Sequence, residues 1–145
     1  MARNARLFLL APAVALVTGC GGGFEDVAAI PGEEGASRVA ETYLAALADG
    51  DGPRACSLMD TATQQTLIGA HGGTGDCLAA VKGAAEALSS AQKEELSGAE
   101  LGEVAVDGNS ASVRVELAAE LAALAGADDG VLALARQEGH WGITG

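Results

Sequence analysis

Apolar residues recur at three- and four-residue intervals up to about Leu88 and at every second residue beyond Glu95, a change of period that narrows the possible folds more than any other feature of this sequence. Val39, Ala40, Tyr43, Leu44 and Leu47 fall on one face of a helix that Ser37 can cap and Gly50 can end. Asp51-Gly52-Pro53 interrupts the chain, and Pro53 suits the first turn of a short helix through Cys56 to Met59. Asp60 has N-cap chemistry for Thr61 to Ile68. The glycine-rich stretch from Gly69 to Gly75 reads as a loop, and Leu78, Val81, Ala85 and Leu88 mark a further helix starting near Asp76.

Beyond Glu95, Val104 and Val106, then Val113, Val115 and Leu117, alternate with polar residues about a hairpin signal at Asp107-Gly108-Asn109. Leu117 to Ala127 has helix-forming composition in a strand-like position, and is read here as the end of a strand followed by a loop. Val131 to Arg136 and His140 to Thr144 form a last hairpin about Glu138-Gly139, with Trp141 and Ile143 on one face. The expectation is an α+β fold: N-terminal helices packed on a curved antiparallel sheet of about four strands.

Composition adds bounds. A chain of 145 residues, 49% hydrophobic and 3% aromatic, has room for one modest core and not for a multidomain enzyme. The formal charge of −12, with only 8 basic residues, excludes a nucleic-acid footprint, which needs clustered Lys and Arg.

The first residues read as an address. Arg3 and Arg6 precede an apolar run from Leu7 to Val17 that ends in Thr18, Gly19 and Cys20, the layout of an export signal. A spanning helix needs roughly 20 apolar residues, so this run is too short for a permanent anchor. Val17-Thr18-Gly19-Cys20 resembles the lipobox of bacterial lipoproteins. That resemblance implies cleavage before Cys20, with residues 1–19 as signal peptide, and a diacylglyceryl group on the Cys20 sulfur. The expected location is the extracytoplasmic face of the cell membrane, with the lipid on Cys20 as the membrane contact. Loss of the signal leaves six basic residues against 20 acidic ones, a formal −14, so a basic patch does not hold the chain on anionic headgroups.

Three cysteines are an odd number for an exported protein, and lipidation of Cys20 accounts for one. Cys56 and Cys77 remain as an expected disulfide in an oxidising compartment. A metal site or a catalytic thiol are the competing readings, but there is no C-x-x-C and neither His lies at zinc-like spacing. Residues 20–36 mix glycine, acids and one proline, and read as a flexible linker with a reach of about 20–24 Å. Residues 37–145 then form a single domain.

VAETYLAALADGDGPRACSLM, the second cysteine after a glycine-rich loop, the hairpin VAVDGNSASVRV and the ending LALARQEGHWGITG together resemble small exported nuclear transport factor 2-like domains, cystatin-like in shape. The resemblance covers about Ser37 to Gly145. It implies a cone between helix and sheet that the residues around Trp141 and Ile143 fill. The chain departs from it in having His140 and Gly142 beside Trp141 and in the alanine-rich stretch from Leu117 to Ala127.

That superfamily includes isomerase- and dehydratase-like enzymes, but fold does not confer activity. His71 sits in a loop and His140 alternates away from Trp141, toward solvent. Asp60 is accounted for as a cap, Asp107 as a turn residue, and Glu116 and Glu138 as outward or loop residues. A metal site of His71, Asp76 and His140 is not required by their spacing. No nucleophile elbow, phosphate-binding loop or metalloprotease helix occurs. Tyr43, Leu47, Val115 and Trp141 are the residues expected to line a small apolar pocket or, more simply, to pack the core. The expected function is a non-catalytic binding or accessory domain, needing no cofactor or metal, for a small hydrophobic ligand or an envelope protein. A cone-pocket enzyme is the alternative.

Overall fold

The computed structural model describes residues 24–71 and 75–145. The expected signal peptide, Cys20 and the start of the linker lie outside the described residues, as do Gly72, Gly73 and Thr74 of the glycine-rich stretch. The fold is α+β, with helices packed on an open, curved antiparallel sheet. In chain order the elements are α1 (Phe24–Ala29), α2 (Gly32–Asp49), α3 (Gly52–Ser57), α4 (Thr61–Ala70), α5 (Cys77–Ala87), α6 (Ser90–Ser97), β1 (Glu100–Asp107), β2 (Ser110–Glu116), α7 (Ala119–Leu124), β3 (Val131–Gln137) and β4 (His140–Thr144).

The four strands form a meander in the order β1-β2-β3-β4, each antiparallel to its neighbour. A register shift between Leu101 and Val104 interrupts the β1–β2 ladder, the kind of irregularity that bends a strand. Alternation sends Val113, Val115, Leu132, Leu134, Trp141 and Ile143 to the inner face, where all six are buried. α2 lies against β1, β2 and β4. Its Val39, Ala40, Tyr43, Leu44 and Leu47 are buried on that side, as their spacing predicts. Gly50 ends the helix in the left-handed conformation, its N–H reaching back to the Leu47 carbonyl.

The outer edge of β4 is covered by the segment after α3: the Ile143 N–H donates to Leu58 O at 2.6 Å, and the Asp60 N–H donates to Ile143 O at 3.0 Å. Asp60 also caps α4 through the Thr63 N–H, and Asp76 caps α5 through the Ala79 N–H. The turn between β3 and β4 places both Glu138 and Gly139 at positive φ, the geometry that two-residue hairpin loops favour.

Two expectations are corrected, and one element is added where the sequence reading was silent. Residues 24–36 are not a coil: α1 forms there, and α2 starts at Gly32 instead of being capped by Ser37. Pro31 and the positive φ of Gly32 turn the chain, Glu33 and Glu34 suit the positive end of α2, and Ala28 and Ala36 are buried in the core. The stretch from Leu117 to Ala127 is not strand and loop, because α7 occupies most of it and buries Leu121 and Ala122, with the residue that caps its end, Ala125, buried as well. β2 ends at Glu116, and beyond it the helix-forming Ala and Leu residues prevail. Finally, α6 precedes β1. Ser89 and Gln92 form a reciprocal capping box, and Leu96 is fully buried.

α1 is fastened by close packing. Arg136 lies opposite Trp141, its guanidinium 5.9 Å from the ring centroid, and donates to Ala29 O at 3.4 Å. Gly35 comes so near the Ile30 carbonyl that a Cβ would overlap that oxygen and press on Trp141 Cδ1. Gly35→Ala is therefore expected to lower stability by about 1–3 kcal/mol. Gly83→Ala, on the exposed face of α5 with open space around it, is expected to raise stability by about 1 kcal/mol. Urea denaturation of the two variants checks the opposite signs.

Candidate functional site

Cys56 near the end of α3 and Cys77 at the start of α5 are joined in a disulfide with 6.1 Å between their Cα atoms. The bond closes a loop that contains the whole of α4. That helix buries little of itself, chiefly Thr63 and Leu67. Thr63 fastens it: its hydroxyl donates to Ile143 O at 3.3 Å and accepts the Gly145 N–H at 2.8 Å.

Under α4 lies a pocket of about 130 Å³. Tyr43 of α2, Leu67 and Ala70 of α4, and Ala123 and Leu124 of α7 contribute to its lining, with His71 and Gly126. Tyr43 is 1% exposed, and its hydroxyl donates to Ala125 O at 3.1 Å, with Met59 Sδ at 3.7 Å. Ala125 is the C-cap of α7, so this bond satisfies a carbonyl that the helix cannot pair internally. Burial holds the Tyr43 hydroxyl proton well above the usual tyrosine range. His71, the C-cap of α4, is exposed, and its imidazole makes no hydrogen bond or ion pair among the described residues.

The four residues expected to line a cone pocket all belong to the core cluster: Tyr43, Leu47, Val115 and Trp141. Tyr43 reaches the pocket beneath α4, Trp141 reaches a different groove, and Leu47 and Val115 line neither. Sequence spacing identified the burial of these side chains and the helix that Asp60 caps, but not α7, nor that α4 and α7 together wall the pocket. The signal for α7 was the run Ala119-Glu120-Leu121-Ala122-Ala123-Leu124, whose helix-forming composition was outweighed by its strand-like position.

The second groove, about 180 Å³, is lined in part by Ser57, Asp60, Gln137, His140 and Trp141. Ser, Asp and His are the makings of a nucleophile with its base, but here each is engaged with nearby backbone. The Ser57 hydroxyl donates to Arg54 O at 2.8 Å, Asp60 accepts the Thr63 N–H at 2.7 Å, and His140 Nδ1 faces Glu138 O at 3.1 Å. No bond joins the three to one another, so the groove lacks the coupling that activates a hydroxyl. His71, Asp76 and His140 are not assembled as a metal site, and no group of three or more His, Cys, Asp or Glu among the described residues is placed to hold a metal ion. Trp141 Nε1 is buried without a hydrogen-bond partner among the described residues.

No helix among the described residues is long and apolar enough to cross a membrane. Set against family models, curated proteins and solved structures, the chain matches none of them.

Two measurements probe this region. Replacing Cys56 and Cys77 together by Ser is expected to lower stability by about 3 kcal/mol, because the opened loop regains entropy when unfolded, and urea denaturation reads the loss. Tyr43 is the only tyrosine. Unfolded, it ionises near pH ~10, whereas the folded protein retains the proton to higher pH, so stability is unaffected below about pH 10 and falls as pH rises above it. Phenolate absorbance is therefore expected to appear together with the loss of far-UV ellipticity in an alkaline titration. Tyr43→Phe is expected to abolish this pH dependence and to cost about 1 kcal/mol at neutral pH through the lost bond to Ala125.

Proposed function

We propose that this protein is a lipid-anchored extracytoplasmic lipoprotein whose single α+β domain, of nuclear transport factor 2-like (cystatin-like) type, is a non-catalytic binding or accessory module of the cell envelope. The observation that carries the reading is the Cys56–Cys77 disulfide. Structural disulfides persist in oxidising compartments, and this one uses two of the three cysteines, leaving Cys20 for the lipobox thioether. The basic start, the apolar run and Val17-Thr18-Gly19-Cys20 supply the export and anchoring signals. The α+β architecture, closed by the hairpin that carries Trp141, supports the domain type.

In this reading the leash is short. Four residue steps separate Cys20 from Phe24, where α1 begins, and fully extended chain spans no more than ~3.6 Å per residue. The domain is thus held within about 14 Å of its anchor, closer than the 20–24 Å reach of a coil over residues 20–36. α2, extending about 27 Å from its N-terminal end, sets the disulfide-bonded helices α3 and α5 well away from α1. A partner approaching from outside the membrane meets that end without displacing lipid.

Cell fractionation with mass spectrometry of the mature protein tests the assignment. The expected result is a membrane-bound chain beginning at Cys20 and carrying the mass of a diacylglyceryl group, with Cys20→Ala unlipidated and no longer held by lipid. A cytosolic chain retaining Met1, with all three thiols reduced, would refute the reading.

A further inference from the structure

We propose that the pocket beneath α4 is a binding site for one ring-sized aromatic carboxylate, with the ring among Leu67, Ala70, Ala123 and Leu124 and the carboxylate at His71. This deepens the proposed function, resting on its claim that the domain binds and not on the lipid anchor.

Size gives the first argument. A cavity of ~150 Å³ lined by apolar side chains accepts a molecule the size of benzene, and this pocket holds about 130 Å³. The second comes from its polar atoms. The Thr63 hydroxyl is committed to Ile143 and Gly145, the Thr66 hydroxyl donates to Ala62 O at 3.1 Å, and the Tyr43 hydroxyl donates to Ala125 O. With its side-chain hydroxyls satisfied internally, the wall asks for an apolar body.

The head group follows from what remains. Among the described lining residues, His71 is the one whose side chain carries an unengaged polar group, and it stands exposed at the end of α4. Among the described residues no Asp or Glu side chain lines the pocket. A carboxylate accepts a hydrogen bond from the imidazole N–H, and the bond strengthens if the ring is protonated. The site is distinct from the filled space between α2 and the sheet, since none of its lining residues belongs to a strand.

The probes are benzoate and its neutral analogue benzyl alcohol, titrated into the ¹⁵N-labelled full chain in a non-aromatic detergent and followed by amide chemical shifts. Both are expected to move the amides of Leu67, Ala70, Ala123 and Gly126, with benzoate dissociating at about 1 mM. His71→Ala is expected to weaken benzoate about tenfold and to leave benzyl alcohol within about twofold. Ala123→Phe, which fills the pocket from an exposed position, is expected to abolish both, and Ala70→Phe serves if that variant does not fold. Shifts clustered elsewhere, no shifts at 10 mM probe (about ten times the expected constant), or equal weakening of both probes by His71→Ala would overturn the proposal. In the case without shifts, copurification of an envelope protein with the same chain would leave the accessory reading standing and remove only the ligand site.

Discussion

The structure depends on one packing interaction, the burial of the apolar stripe of α2 against the inner face of the sheet. With aromatics at 3% of the chain, the core is built largely from Ala, Val and Leu, and Tyr43 and Trp141 supply its bulk. Small side chains allow close approach, and close approach leaves little tolerance. Gly35, wedged against Ile30 and Trp141, shows how little. Neither the sheet, whose inner face is apolar, nor α2, whose stripe runs from Ala36 to Leu47, could remain in water without the other.

Around that contact the smaller helices are held by individual polar bonds. Tyr43 reaches through the core to the end of α7, Glu95 of α6 accepts the Ala118 N–H at 2.8 Å where α7 begins, and Thr63 ties α4 to Ile143 and Gly145. The disulfide performs the same task at the other end of α2, joining α3 to α5 across the loop that carries α4. α4 is consequently secured at its edges while burying little of its own surface. This explains why the pocket lies under α4 and not between α2 and the sheet, where the side chains already fill the space.

Much of the fold was legible locally. The stripe of α2, the caps Asp60 and Asp76, the stop at Gly50 and the turns at Asp107-Gly108-Asn109 and Glu138-Gly139 follow from side-chain chemistry within a few residues. What escaped was short. α1 and α7 are six residues each, too few for a period to establish itself, and the identity of α7 depends on Tyr43, which is far away in sequence. α6 carried a readable signal in Ser89 and Gln92.

The sequence by itself determined the class of fold and the buried faces of α2 and of the strands, and it made the pairing of Cys56 with Cys77 the expectation, because hydrophobic period and cysteine spacing are properties of the chain. Only the tertiary structure decided that Tyr43, Leu47, Val115 and Trp141 fill a core instead of lining one pocket, and that α4, α7 and His71 enclose another. A cavity is the space left after distant segments pack, so no single segment can encode it. Residue spacing can place a side chain on a face, but the opposing wall is supplied from elsewhere in the chain.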